Sequence, residues 1–159
     1  MPAVKKILFV CLGNICRSPM AEFVFRDLAQ KRGLEGRFQA ASAATSAEEL
    51  GNPVHPGTRR RLAREGISTQ GKRAALLTPE DYARYDLLIG MEERNLSAMR
   101  RILGGDPEGK LRRLLDFSPR PRDIADPWYT GDFDRTYDDV LEGCQALLES
   151  LLAEEKASL

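Results

Sequence analysis

Two hydrophobic rhythms alternate along the chain, and their order predicts the architecture. Val4 to Cys11 ends in the unbroken apolar run Ile7-Leu8-Phe9-Val10, the pattern of a central parallel strand covered on both faces. Ser18-Pro19 reads as an N-cap followed by a first helical residue, and Met20, Phe23, Val24 and Leu28 then recur at helical spacing toward a stop at Gly33. Phe38 to Ala44 predicts a second strand. His55-Pro56-Gly57-Thr58 opens a basic helix over Thr58 to Glu65, which Gly66-Ile67 ends. Pro79 to Tyr82 predicts a single helical turn, and Tyr85 to Met91, around Leu87-Leu88-Ile89, another short buried strand. Glu92 to Leu103 predicts a helix closed by Gly104-Gly105, and Leu114-Leu115 a last short strand. Ser118 to Asp132, with Pro119, Pro121, Pro127 and Gly131, reads as loop. The final helix, from about Asp134 to Glu154, carries the stripe Tyr137, Val140, Leu141, Cys144, Leu147, Leu148 and Leu151. Strands alternating with helices predict an α/β fold, an open parallel sheet with helices on both faces. Ligands bind beyond the carboxyl ends of the strands in such sheets, and Cys11 falls there.

Composition narrows the function classes. The 159 residues, 17.8 kDa, predict one domain over 1–159, long enough to bury a sizeable core without staples. Lys plus Arg and Asp plus Glu are both 24, which argues against a general nucleic-acid binder. No apolar run approaches the ~20 residues of a membrane span, and Ile7 to Val10 is too short for a signal-peptide core. The expectation is a cytoplasmic monomer with no membrane and no nucleic-acid partner. Three cysteines are too odd a set for a disulfide framework. With His55 as the only histidine and no C-x-x-C pair, no metal is expected.

The chemistry concentrates in Cys11-Leu12-Gly13-Asn14-Ile15-Cys16-Arg17-Ser18. C-x5-R alone means little, since 3 Cys and 18 Arg in 159 residues give about 0.3 such pairs by chance. Its setting is informative. A buried strand runs into it, a helix start follows, and Gly13 allows backbone to turn tightly or approach a ligand. Such a loop can aim several N–H groups into one concavity, an anion nest reinforced by the helix dipole. Arg17 adds a planar fork of donors suited to a tetrahedral oxyanion. The same positive field favours the thiolate of Cys11, a nucleophile for phosphorus. Ser18 can donate its hydroxyl to that thiolate as well as cap the helix, and Asn14 can brace the loop, with Ser42 as one candidate partner. A leaving oxygen needs a proton donor. Asp126-Pro127-Trp128-Tyr129 offers an acid beside two aromatics that would flank a flat ring and partly desolvate the carboxyl, favouring its protonated form.

This loop, with the distant Asp126-Pro127-Trp128-Tyr129, resembles the low-molecular-weight protein tyrosine phosphatase family, and the resemblance covers nearly the whole chain. It implies a flavodoxin-like four-stranded parallel sheet, no metal and no cofactor. It implies a phosphocysteine on Cys11, phosphate held by Arg17 and the amides of Leu12, Gly13, Asn14, Ile15, Cys16 and Ser18, and Asp126 as acid and then base. Trp128 and Tyr129 would contact the substrate, a phosphotyrosyl protein or small aryl phosphate, and inorganic phosphate would leave. The resemblance also implies that Ser18 supports the thiolate, that Asn14 and Ser42 brace the loop, and that Cys16 can form a reversible disulfide with the nucleophile. Two positions depart from the pattern. Glu48 stands where members often have an aromatic cleft wall, and Lys72 lies where they often have a histidine.

Plainer roles stand beside these. Asp126 can simply start a turn before Pro127, and Asp123 is a competing acid. Cys144, on an apolar stripe, suits core packing, and His55 suits a loop or helix cap. Arg59-Arg60-Arg61 suits a solvated helix face. Among alternative functions, phosphoarginine hydrolysis belongs to relatives with Thr where this chain has Ile15, so Ile15 favours phosphotyrosine. Arsenate reduction needs cysteines near residues 75–95, and none is there. A non-catalytic phosphate-binding module would not need Cys11, Arg17 and Asp126 together.

Overall fold

The computed structural model describes residues 4–157. Four parallel strands, β1 (Lys5–Cys11), β2 (Phe38–Ala44), β3 (Leu87–Gly90) and β4 (Leu111–Arg113), lie in the order β2-β1-β3-β4. The strand with the most continuous apolar run is thus central, as burial on both faces demands. Its residues alternate between two cores. Ile7, Phe9 and Cys11 pack with α1 (Arg17–Lys31), Leu62 of α2 (Pro56–Ala63) and α6 (Phe133–Ala157). Leu8 and Val10 pack with Leu96 and Met99 of α4 (Glu93–Leu103) and with Leu77. The chain leaves β1 toward β2 on one side and reaches β3 on the other, so the order reverses at the carboxyl end of β1. That switch point is where Cys11 sits.

Four expectations are corrected. Ser18 is not the cap of α1: Cys16 occupies that position without a side-chain cap, and Ser18 lies inside the first turn with its hydroxyl engaged by Cys11 and Asn14. The last strand comes earlier than Leu114-Leu115. Those two residues open a 3₁₀ turn, Leu114–Phe117, because Asp116 reaches back to the Arg113 amide at 3.0 Å and bends the chain. Both leucines are fully buried and serve as core plugs. The turn expected at Pro79 to Tyr82 is α3 (Asp81–Arg84), since Asp81 accepts from the Thr78 amide just before it. The segment read as loop from Ser118 holds one helical turn, α5 (Pro127–Thr130), started by Pro127 and ended by Gly131 at φ 70°. Among the described residues no helix is long and apolar enough to cross a membrane.

Candidate active site

Cys11 is the last residue of β1 and is nearly buried. Beyond it four carbonyls of the loop are held by hydrogen bonds. Thr45 N–H bonds the Cys11 carbonyl at 3.0 Å and Ser46 N–H that of Leu12 at 3.0 Å. His55 N–H bonds the Ile15 carbonyl at 2.8 Å, and Thr58 Oγ1 that of Cys16 at 3.3 Å. Trans peptides point each carbonyl opposite to the next amide. The amides of Leu12, Gly13, Cys16 and Arg17 therefore point away from those held carbonyls. The back of the loop is thus tied down by hydrogen bonds from four neighbouring residues.

Asn14 makes the turn possible. It adopts φ 58°, a left-handed conformation that asparagine tolerates better than most residues. Its Nδ2 donates to Ser18 Oγ at 2.7 Å, and its Oδ1 accepts from the Ala75 amide at 3.0 Å. Because Ser18 Oγ already accepts from Asn14, its own proton is left for Cys11 Sγ, 3.0 Å away. The Ser18 amide lies 3.4 Å from the same sulfur. The sequence offered Ser42 as a partner for Asn14; its side chain bonds Ser18 and Ala75 instead.

Ser42 belongs to a neighbouring buried cluster. Its Oγ donates to Glu22 Oε1 at 2.5 Å, and Lys72 Nζ donates to its carbonyl at 2.9 Å. Arg26 closes the cluster on Glu22 at 2.7 Å. The departure at Lys72 is thus a cation placed against the carboxylate of α1 and the end of β2. Burial pushes the Lys72 ammonium below its usual range, with Glu22 opposing.

Arg17 is 2% exposed, the largest side chain so fully enclosed among the described residues. Its Nη1 bonds the Ile124 carbonyl at 3.0 Å and faces Glu92 at 3.2 Å, while Nη2 faces Asp126 at 3.3 Å. Two carboxylates and a carbonyl thus fix the guanidinium plane. Asp126 uses its other oxygen to cap α5, accepting from the Trp128 amide at 3.0 Å. The turn-starting role and the site role coincide in one carboxylate. Asp123 is not a rival, since it pairs with Arg113 at 3.0 Å and accepts from the Glu93 amide.

These groups open on a cleft of about 130 Å³ lined by Cys11, Leu12, Gly13, Ile15, Cys16, Arg17, Glu48, Glu49, Asp126, Trp128 and Tyr129. Trp128 is 58% and Tyr129 77% exposed, and both stand on the rim of the cleft. Trp128 lies edge-on to His55, whose ring stacks on Phe133. His55 Nδ1 accepts from the Gly57 amide at 2.9 Å, the helix-cap role foreseen for it. Glu48 does stand on the rim, joined by Glu49. All three cysteines are free. Burial, with Cys11 and Asp126 nearby, pushes the Cys16 thiol up to about 12, and burial alone pushes Cys144 up within the core. The sequence reading missed Glu22, Glu49 and Glu92. A carboxylate that acts by holding an arginine or serine has no spacing signature.

A strand-end cysteine, a tied-down loop and an enclosed arginine facing an acid meet at the switch point of a parallel α/β sheet. The chain belongs to the low molecular weight phosphotyrosine protein phosphatase family, whose model matches residues 6–157. It is 43% identical over 152 residues to low molecular weight protein-tyrosine-phosphatase YfkJ of Bacillus subtilis (strain 168), covering 94% of this chain and 97% of that protein. It is 38% identical to the human low molecular weight phosphotyrosine protein phosphatase, covering 92% and 96%. The crystal structure of YfkJ superposes with a TM-score of 0.93 over 96% of this chain and 97% of that one. A Drosophila arginine phosphatase structure, 28% identical, superposes at 0.83 over 92% and 97%.

Proposed function

We propose that this chain hydrolyses protein phosphotyrosine through a phosphocysteine on Cys11, as one catalytic domain. The observation that supports the reading is that Cys11, the loop residues Leu12, Gly13, Ile15 and Cys16, Arg17 and Asp126 line one cleft, with Ser18 Oγ 3.0 Å from Cys11 Sγ and Asp126 paired to Arg17. The phosphate dianion docks on the amides and the Arg17 fork. Cys11 Sγ attacks phosphorus in line as the bond to the tyrosyl oxygen breaks. That oxygen keeps the electron pair and takes the Asp126 proton. The Asp126 carboxylate then accepts a proton from water as the water oxygen attacks phosphorus. The S–P bond breaks, the thiolate returns with its electron pair, and inorganic phosphate leaves. Ser18 stabilises the thiolate at both stages, and rate comes mainly from positioning and from donors on the equatorial oxygens. Ile15 lines the cleft where a hydroxyl residue marks the phosphoarginine relatives, which supports the aryl substrate.

Phosphate release from phosphotyrosyl and phosphoarginyl peptides, measured in chelator, tests the reading. Cys11→Ser should abolish turnover while still binding oxyanions. Asp126→Asn should slow substrates with high leaving-group pKa most. Turnover confined to phosphoarginine, or retained by Cys11→Ser, would overturn the assignment.

A further inference from the structure

The catalytic cleft does not end at Asp126. Arg17 and Asp126 also wall a second groove of about 480 Å³, completed by Glu92, Arg94 and Arg101. The charges in this groove are unevenly paired. Arg17 is neutralised by Glu92 and Asp126. Arg94 and Arg101 are exposed and, among the described residues, make no ion pair or side-chain hydrogen bond. They are seven residues apart on α4, two turns, so they share a face about 10 Å apart. An extended peptide covers that span in about three residues. The catalytic basin has the opposite rim, Glu48 and Glu49.

We infer that Arg94 and Arg101 form an anion subsite that selects substrates with an acidic segment within a few residues of the phosphotyrosine. This deepens the phosphatase reading and rests on it. Carboxylates entering the groove pair with two guanidinium groups that face water now, so little is broken to bind them. A substrate laid the other way meets Glu48 and Glu49 with its acidic residues and is repelled. The subsite acts on recognition of the flank, leaving chemistry at Cys11 unchanged.

The test compares kcat/KM for three phosphotyrosyl peptides of equal length, with acidic residues on the amino side, acidic residues on the carboxyl side, or alanine on both. Para-nitrophenyl phosphate serves as the flank-free reference. One acidic peptide should exceed the alanine peptide by about three- to tenfold at low salt, through KM, and the advantage should shrink as salt rises. The Arg94→Ala/Arg101→Ala double variant should lose that advantage and keep wild-type turnover of para-nitrophenyl phosphate. Acidic peptides no better than the alanine peptide, or an advantage that survives in the double variant, would overturn the subsite. Failure of the wild type to turn over para-nitrophenyl phosphate and the alanine peptide would instead overturn the phosphatase reading itself.

Discussion

Asn14 shows how one side chain sets both the shape and the chemistry of the loop. Its left-handed φ of 58° turns the backbone, and its amide group polarises Ser18 toward Cys11 while pinning Ala75. The two roles separate by substitution. Asn14→Gly relieves the backbone but removes both hydrogen bonds, whereas Asn14→Ala also leaves a Cβ in a region that costs about 1–2 kcal/mol. Both variants should lose turnover alike, and Asn14→Ala should unfold more easily by about 1 kcal/mol in urea. Full activity in Asn14→Gly would show that the side-chain bonds serve folding alone. At this scale the sequence was most legible where one short loop gathers its singled-out residues, as at Cys11 and Arg17, which line the same cleft. It was least legible where one polar group must choose among neighbours. Asn14 chose Ser18 and Ala75 over Ser42, and nothing in local spacing distinguishes those partners.

Among the elements, the strands and long helices could be read because their apolar patterns match their burial. Ile7 to Val10 are core residues, and the stripe from Tyr137 to Leu151 is too, except Leu141, which is partly buried against it. The short elements were harder. Leu114-Leu115 has the composition of a strand, but the Asp116 backbone contact bends it into a 3₁₀ turn, and the sheet takes Leu111–Arg113 instead. α5 was hidden because its only signal is an Asp126-Pro127 start inside a proline-rich segment. The packing of α6 gives a sharp test. Gly143 faces Leu114, and a Cβ there would sit 2.5 Å from Leu114 Cγ. Helix propensity favours alanine over glycine by about 1 kcal/mol, while overpacking a filled core costs about 1–3 kcal/mol. Gly143→Ala should therefore lower stability, seen as a reduced urea midpoint with an unchanged slope. An increase would mean that Leu114 repacks freely.

Across the whole molecule, the segment that delivers Asp126 to the cleft is tied to α6 by charge. Arg122 pairs with Asp139 at 2.9 Å and with Glu142 at 3.0 Å, and Ser118 also bonds Glu142. Arg122 and Ser118 hold the Glu142 carboxyl down to about 2, against an ordinary value of 4.5. A depressed folded-state value stabilises above the ordinary value, and that contribution is lost as pH falls from about 4.5 to about 2. Glu142→Gln should cost about 1 kcal/mol at neutral pH, since these groups are partly solvated. Its stability curve should converge on the wild type in acid. A constant gap across that window would place the effect in packing.

Trp128, at the rim of the cleft, is the chain's only tryptophan. It stands 58% exposed on the turn that Asp126 starts, with the His55 ring edge-on at 5.7 Å. The indole fluorescence of the entire protein therefore issues from one wall of the cleft that holds Cys11. Occupancy of that cleft by an unlabelled, unreactive oxyanion becomes visible as a change in emission, and so does any displacement of the acid-bearing turn, without a dye or a chromogenic substrate.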